Sequence, residues 1–235
     1  LNLTLVETLV AEGPKEWRFP PLRPERPRAF LKNPLGRLRR QDVLLYHPFE
    51  DYAAVERFAE AACAPEVEEV WATLYRTGEE NPLAETLLEA ARQGKRVRVL
   101  LEGRARFDEL LNLRWYLRFL RAGVEVLPLP ERKVHAKALL LLTREGGFVH
   151  LGTGNYNPQN GRLYTDFSLF TARPEVVAEV RAFFQAMVEE RPPSLSLLRT
   201  GEGIRRLLLE AIREEAHPKG RVLLKFNHLT DPHIL

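Results

Sequence analysis

The sequence predicts an α/β fold with a mixed, mostly parallel sheet that is flanked by helices. Short apolar runs alternate with longer helical patterns from residue 42 to residue 190, and this alternation is typical of strands joined by helical crossovers. Such crossovers join parallel strands. The pair Gly146-Gly147 lies between two apolar runs and indicates a hairpin, which adds antiparallel strands to the sheet.

The strands are expected at apolar runs that are short and bounded by Gly, Pro or charged residues. The first run ends at His47-Pro48, the second at Arg76-Thr77-Gly78, and the third at a loop that begins with Glu102. In chain order, the expected strands are 43–46, 70–75, 97–101, 124–127, 134–142, 148–151 and 163–170.

The helices are expected in the longer segments between these runs. The segment 52–64 is rich in alanine, and the segment 108–122 is closed by Gly123. The segment 82–93 has Pro82 near its start and Gly94 after its end, which is the usual polarity of these two residues around a helix. The last expected helix of the sheet region covers 174–190.

The two ends of the chain differ from this region in composition. Residues 13–34 are rich in proline, so we expect neither a helix nor a central strand there, and we expect residues 1–40 to connect from an upstream domain. Residues 41–190 are expected to form the main domain. After Arg191-Pro192-Pro193, an expected helix at 204–216 and an expected strand at 222–226 indicate the start of a second α/β unit, 191–235, that is cut short.

Composition excludes several classes of protein. Of the 235 residues, 45% are hydrophobic and 29% are charged, as in ordinary globular domains. The net charge of +3 is too small to predict a nucleic-acid partner, and no apolar run is long enough to span a membrane. The single cysteine, Cys63, excludes an internal disulfide, and residues 1–10 show no export signal, so we expect a cytoplasmic protein.

The most informative motif is Val134-His135-Ala136-Lys137. A histidine and a lysine two residues apart on a strand point to the same face, because side chains alternate with a period of two. The turn Gly152-Thr153-Gly154-Asn155 follows, and we expect it to bring backbone N–H groups and an amide close to the same spot. The combination predicts an anion site in which a neutral imidazole attacks a phosphoryl group.

Arginines at the ends of expected strands support the same chemistry. Arg76 ends one strand, and Arg104 and Arg106 follow another. Ligands collect beyond the carboxyl ends of strands in parallel α/β sheets, so we expect Arg76 and Arg106 in the site. For Arg104, an ordinary surface position is the favoured interpretation.

Two other kinds of site are excluded by their missing patterns. The chain has no Gly-x-x-x-x-Gly-Lys-Ser/Thr loop, which argues against a P-loop kinase. Its six histidines and one cysteine have no zinc-type spacing.

His-x-Lys followed by Gly-x-x-Asn resembles the phospholipase D superfamily, and the resemblance implies a phospholipase-D-like fold. That family's pattern places an aspartate five residues after the lysine, where this chain has Leu142. The departure argues against a phosphodiesterase or nuclease.

A closer resemblance is to polyphosphate kinases of the first type. It extends over nearly the whole chain, and its most specific motifs are Asp42 to Phe49, Leu74-Tyr75-Arg76, Ala105 to Glu109, Lys133 to Lys137, His150 to Asn157, Arg162 to Leu169 and Leu224 to Asn227. The resemblance implies that residues 41–190 are the first of two phospholipase-D-like catalytic halves. It also implies reversible transfer of the ATP γ-phosphate to inorganic polyphosphate through a phosphohistidine.

The resemblance also implies roles for single residues. His135 matches the phosphorylated histidine, and Tyr164 matches a tyrosine that contacts ATP. His150 matches a second histidine near the site, which we place among the expected phosphate contacts. Arg76 and Arg106 match positions assigned to magnesium. Arginine has no lone pair to give a metal, so we expect both to hold phosphate beside a Mg²⁺-bound phosphate chain.

The residues themselves suggest one further role. The second ring nitrogen of a phosphorylated histidine needs an acceptor that fixes its tautomer, and Asp166 follows the glycine-rich turn at the start of a strand. We expect Asp166 to orient His135, while a capping or surface position is an equal alternative. Lys137 and Asn155 are expected to hold the phosphoryl oxygens.

Two alternative functions stay open. The chain could bind polyphosphate or nucleotide without turnover, because the second half would complete the site. It could also be a phospholipase-D-type phosphodiesterase in which two chains share a site. In either case, an exposed half-site suggests a homo-oligomer.

Overall fold

The computed structural model describes residues 10, 12–14, 16, 20–75, 77–102, 109–127, 134–198, 202–224 and 230–234. The chain forms two compact units, Leu1–Val177 and Ala178–Leu235. The sheet and all the described site residues lie in the first unit.

Seven strands and eight helices are described. The strands are β1 Val43–His47, β2 Glu69–Leu74, β3 Arg96–Leu101, β4 Glu125–Val126, β5 Lys137–Thr143, β6 Gly146–Gly152 and β7 Asp166–Thr171. The helices are α1 Arg28–Lys32, α2 Pro34–Leu38, α3 Ala53–Glu60, α4 Pro82–Arg92, α5 Glu109–Arg121, α6 Pro158–Gly161, α7 Pro174–Val188 and α8 Glu202–Glu214. A 3₁₀ turn, Ala61–Cys63, extends α3.

The strands form one mixed sheet in the order β1-β7-β6-β5-β2-β3-β4. The expected mixed sheet with flanking helices is confirmed, but the expectation that it is mostly parallel is wrong. Four of the six neighbouring pairs are antiparallel, and only β2–β3 and β3–β4 are parallel. The reason is the connections: α4 and α5 return the chain to a neighbouring strand, whereas the turn after β5 and the short link after β6 reverse its direction.

The main core lies between one face of this sheet and the helices α1 to α5. Alternate strand residues such as Leu139 and Leu141 belong to it, together with Phe58, Leu87 and Phe119 from the helices. All five side chains are fully buried, and burial of such a side chain contributes about 1.5–3 kcal/mol. The charged face of each helix points to solvent, which gives the amphipathic pattern seen in the sequence.

Part of the proline-rich segment is helical, so the expectation of no helix there is wrong. α1 and α2 cover most of residues 28–38, and they bury Phe30, Leu35 and Leu38 in the core. Pro34 occupies the first turn of α2, where the missing N–H costs nothing, and Asn33 caps the helix by accepting from Gly36 N at 2.9 Å.

The second unit contains α8, which confirms the expected helix near 204–216. The expected strand at 222–226 is not formed at residues 222–224, and residues 225 and 226 lie outside the described part of the chain. Among the described helices, none is both long and apolar enough to cross a membrane.

Candidate functional site

The strand register brings the expected site residues to one edge of the sheet. Lys137 at the start of β5 is opposite Gly152 at the end of β6, and Gly152 is opposite Ser168 on β7. Asp166, at the start of β7, is opposite His47 at the end of β1. Because Asp166 and Ser168 are two residues apart, they share the face of the sheet on which Lys137 lies.

His135 and Lys137 are in contact, as their spacing predicts, but the strand expected from residue 134 begins only at Lys137, so His135 lies just before β5. The Lys137 Nζ lies 2.9 Å from each ring nitrogen of His135, and it donates to the His135 carbonyl oxygen at 2.6 Å. The His135 side chain is exposed, whereas Lys137 is only 5% exposed. The Tyr75 ring meets the His135 ring edge-on, with 4.9 Å between their centroids. The buried amine of Lys137 therefore lies directly against the solvent-accessible imidazole of His135.

Burial changes the acidity of this lysine. Loss of hydration lowers the pKa of Lys137 to about 8, and the negative charge of Asp166 acts in the opposite direction. An anion bound next to the amine would raise this pKa, because it stabilises the ammonium form. Lys137 is thus suited to bind an anionic ligand.

Two residues fix the backbone that carries His135 and Lys137. The Thr73 hydroxyl donates to the Ala136 carbonyl at 2.8 Å and accepts from Ala138 N at 2.9 Å, so it holds the chain on both sides of Lys137. The Glu102 carboxylate accepts from Val134 N at 3.3 Å.

The glycines of the turn at 152–157 make room for neighbouring side chains. A Cβ on Gly152 would lie 3.1 Å from the His150 ring, and a Cβ on Gly154 would collide with the Asp166 carboxylate. From the sequence, we expected this turn to bring backbone N–H groups close to an anion. At Thr153, that expectation fails, because its N–H donates to the Phe167 carbonyl at 3.0 Å.

Asp166 is held by the same turn. The Thr153 hydroxyl donates to its Oδ1 at 2.7 Å, and Phe167 N donates to the Thr153 hydroxyl at 2.9 Å. The Asp166 charge acts on Lys137, so the carboxylate is electrostatically part of the site. Its expected role in orienting His135 stays a prediction.

Asn155 and Tyr164 have positions that suit ligand binding. The Asn155 side-chain oxygen is buried without a hydrogen-bond partner among the described residues, and buried amide groups usually have one. Tyr164 is 61% exposed, so its ring face is open to a flat ligand.

His150 is placed beneath the site. It is 2% exposed, and each of its ring nitrogens is already within hydrogen-bond distance of another side chain. The structure therefore does not support the expected phosphate contact for His150. Burial lowers the pKa of His150 to about 3, with a smaller effect from His47, so the ring is neutral.

Arg76, Arg104 and Arg106 lie outside the described residues, but the strand ends that precede them are described. Asn112 on α5 donates from Nδ2 to the carbonyls of Tyr75 at 2.9 Å and Glu102 at 2.6 Å. Its Oδ1 accepts from the Thr77 hydroxyl at 2.6 Å. One side chain therefore joins the ends of β2 and β3.

Asn112 was missed by sequence analysis, although the sequence contains a signal. It lies on the helix face of Trp115 and Phe119, three and seven residues later, and both of these are buried. A polar residue at a core position of an amphipathic helix must find buried partners, and here they are main-chain carbonyls at the sheet edge.

The described residues do not form a resident metal site. None of them belongs to a group of three or more His, Cys, Asp or Glu side chains that could hold an ion. The Asp166 carboxylate acts electrostatically on Lys137, and its Oδ1 accepts a hydrogen bond from the Thr153 hydroxyl. Mg²⁺ in nucleotide enzymes commonly keeps waters and phosphate oxygens as ligands, and the expected Mg²⁺-bound phosphate chain stays a prediction.

Comparisons with known proteins identify the family of this chain. A family profile described as "Polyphosphate kinase C-terminal domain 1" matches residues 33–193, which is more than half of the chain. The chain belongs to this polyphosphate kinase family. The resemblance seen in its motifs is thereby confirmed.

The polyphosphate kinases that match this chain are longer than it is. A polyphosphate kinase of Mycolicibacterium gilvum is 37% identical over 235 residues, which cover 92% of this chain and 32% of that protein. The crystal structure of polyphosphate kinase from Porphyromonas gingivalis has a TM-score of 0.71 and 30% identity, over 91% of this chain and 38% of that chain. The chain therefore spans about a third of the length of the curated relatives it matches.

A more distant likeness confirms the fold alone. Nuc from Salmonella typhimurium, a phospholipase D family member, matches with a TM-score of 0.51 at 11% identity, over 66% of this chain and 99% of that chain. The expected phospholipase-D-like fold is therefore confirmed.

Proposed function

We propose that this chain is the phosphoryl-accepting half of an ATP–polyphosphate phosphotransferase. Family membership supports the reaction class. The observation that carries the proposal is the exposed His135 imidazole, whose ring nitrogens each lie 2.9 Å from the buried amine of Lys137. A nucleophile beside a fixed cation suits an anionic phosphoryl group.

The proposed reaction has two reversible steps. A ring nitrogen of neutral His135 attacks the γ-phosphorus of ATP, and the N–P bond forms as the bond to the bridging oxygen breaks. The electron pair of that bond leaves with ADP. A terminal oxygen of inorganic polyphosphate then attacks the same phosphorus, and the N–P electron pair returns to the ring.

Lys137 controls the lone pair that attacks. Its amine lies against both ring nitrogens before substrate binds. An incoming phosphoryl oxygen is a stronger partner for the ammonium than an uncharged imidazole, so substrate is proposed to draw the Lys137 amine from the ring nitrogens to the phosphate. Arg76, Arg106 and Asn155 are proposed to hold the remaining oxygens, and Tyr164 to contact the nucleotide.

Magnesium is proposed to enter with ATP. It would lower the repulsion between the phosphate chain and the incoming polyphosphate, while the arginines contact phosphate oxygens rather than the metal. No step of the proposed mechanism needs a protein-held ion.

The proposal is tested with His135→Gln. We expect this variant to lose the incorporation of acid-labile phosphate from γ-labelled ATP, because an amide cannot replace the nucleophilic nitrogen. His217→Gln, at an exposed histidine of the second unit, is the matched control and should label like the unaltered chain. Persistent labelling of His135→Gln would refute the assignment.

The two alternatives predict different results. A binding fragment without turnover would bind magnesium–ATP in calorimetry and form no phosphohistidine. A phosphodiesterase shared by two chains would hydrolyse a generic diester such as bis(p-nitrophenyl) phosphate. Leu142 argues against the diesterase, because it lies within β5, opposite Gly147, where the family pattern has an aspartate.

The remaining properties are proposed from the same reaction. ATP, ADP and inorganic polyphosphate are the expected partners, with no role for nucleic acid. We place the reaction in the cytoplasm, where ATP is available, and propose that copies of the chain associate as a homo-oligomer. Light scattering of the purified protein tests the association.

A further inference from the structure

Four buried side chains form a continuous line beneath the site. The Ser168 hydroxyl oxygen lies 2.9 Å from His47 Nε2 and 3.0 Å from His150 Nε2. His150 Nδ1 lies 2.7 Å from the Tyr156 hydroxyl, and His47 Nδ1 lies 2.8 Å from the Glu50 carbonyl oxygen. All four side chains are at most 3% exposed, so these contacts are shielded from bulk water.

The carbonyl at one end fixes the direction of every bond. The Glu50 carbonyl can only accept, so His47 carries a hydrogen on Nδ1, and the Nε2 of a neutral His47 ring then accepts. The Ser168 hydroxyl must then donate to His47 and accept from the Nε2–H of His150. His150 Nδ1 accordingly accepts from the Tyr156 hydroxyl. Burial lowers the pKa of His150 to about 3, which keeps that ring neutral between its two uncharged partners.

This direction argues against proton transport. A line that ends on a main-chain carbonyl has no group that could take up or release a proton at that end. Each donor instead has one acceptor, which leaves one arrangement of hydrogens. A fully satisfied buried network of this kind favours a single, rigid geometry.

The other end of the line holds the glycine-rich turn. Tyr156 directly follows Asn155, and its ring hydroxyl is fixed by His150. Its carbonyl oxygen accepts from Asn81 Nδ2 at 2.6 Å, so the residue is held at both its side chain and its backbone. The His150 ring also fills the space under Gly152. The turn that faces Lys137 therefore depends on the buried line.

We propose that His47, Ser168 and His150 are positioning residues that fix Tyr156 and hold the turn at 152–157 against the His135–Lys137 pair. They act without touching substrate. The reaction that they would support is the proposed phosphoryl transfer, while the tautomers of the two histidines can be measured without it.

The first test is the tautomer of each ring, measured by long-range ¹H–¹⁵N NMR on the purified chain without nucleotide. We expect the Nδ1–H form for His47 and the Nε2–H form for His150, with no titration of His150 between pH 5 and pH 8. The opposite tautomer at either ring, or titration of His150 in that range, would overturn the proposal. This result is independent of whether the chain reacts with ATP.

The second test separates positioning from simple stability. Tyr156→Phe removes one donor and keeps the ring, and we expect about a tenfold fall in the rate of phosphohistidine formation with less than about a twofold change in ATP affinity. In this variant His47 should keep its Nδ1–H form, because Glu50 still anchors it. Tyr116→Phe, at an exposed position of α5, is the matched control.

A second variant provides the same test if Tyr156→Phe does not fold. Ser168→Ala removes the central hydroxyl with little change of volume, and we expect a similar fall in rate, whereas Ser194→Ala at an exposed position should react normally. A folded Tyr156→Phe or Ser168→Ala chain with a lowered melting temperature but an unaltered rate would show that the line is merely structural. If the unaltered chain forms no phosphohistidine, the proposed function fails, and the tautomer measurement still decides the positioning geometry.

Discussion

The two halves of the sheet contribute to the site in different ways. In the antiparallel half, β1, β7, β6 and β5 place Lys137, Ser168 and Asp166 on one face by strand register, so side-chain alternation builds the site. In the parallel half, Thr73 of β2 holds the backbone around Lys137, and Asn112 joins the ends of β2 and β3 through main-chain carbonyls. The positions of Lys137, Ser168 and Asp166 thus depend on strand register, whereas the ends of β2 and β3 depend on a side chain from a helix.

The largest effect is expected in the antiparallel half, at Lys137. Lys137→Met should lower the rate of phosphohistidine formation by about 10²-fold or more, because it removes the fixed charge beside the nucleophile. The same change should not lower the melting temperature at neutral pH, because burial already disfavours the charged amine.

Rate and melting temperature measured together test this prediction. Lys32→Met, at an exposed lysine of α1, should change neither value. A Lys137→Met chain that reacts normally would remove Lys137 from the mechanism.

A smaller effect is expected at Asp166. Asp166→Asn keeps the shape of the side chain and removes its charge, so we expect at least a roughly tenfold lower rate of phosphohistidine formation with an intact fold by circular dichroism. Asp42→Asn, at an exposed position, is the control. Unchanged phosphorylation would leave Asp166 as a residue that only fixes the Thr153 turn.

The pH dependence of the KM for ATP should also be set by a residue of the antiparallel half, Lys137. Lys137 has a pKa lowered to about 8, so its positive charge is present below that pH and is lost as the pH rises through it. We expect the KM for ATP to rise by up to about tenfold per pH unit above pH 8. Lys137→Arg keeps its charge, so a fully retained pH break in that variant would contradict the assignment.

Substitutions in the parallel half should mainly lower the free energy of unfolding. Asn112→Leu leaves two carbonyls and the Thr77 hydroxyl without their partner, and we expect a loss of about 3 kcal/mol in the free energy of unfolding, measured in urea. ATP affinity should fall by only about threefold, since the phosphate contacts themselves remain. Asn112→Asp keeps the acceptor for Thr77 but loses both N–H donors, so a chain as stable as the unaltered one would contradict the role of the amide.

The sequence allowed good prediction of elements and poor prediction of their pairing. Pro82 and Gly94 bracket α4 closely, and the hairpin expected around Gly146-Gly147 joins β5 to β6, with its turn at residues 144 and 145 and both glycines in β6. Alternation of strands and helices nonetheless suggested a mostly parallel sheet. Strand direction depends on which strands become neighbours, and the β2–β5 pair joins residues about 70 positions apart, which no local pattern encodes.

The site was predictable where its residues are close in sequence. His135 and Lys137 meet as their spacing predicts, although the strand begins only at Lys137 and His135 lies just before it. The roles of Asn112, Thr73 and His47 were not predicted, because each acts through a partner more than 30 positions away. The glycines were predicted, but for a different reason: they make room for His150 and Asp166.

The central claim is that His135 accepts the phosphoryl group. The most direct measurement is mass spectrometry of peptides from the chain after incubation with magnesium–ATP, under alkaline conditions that preserve phosphohistidine. We expect phosphate on the peptide that carries His135, and none on those with His47 or His150. Phosphate on another histidine, or none on a chain that binds ATP, would contradict it.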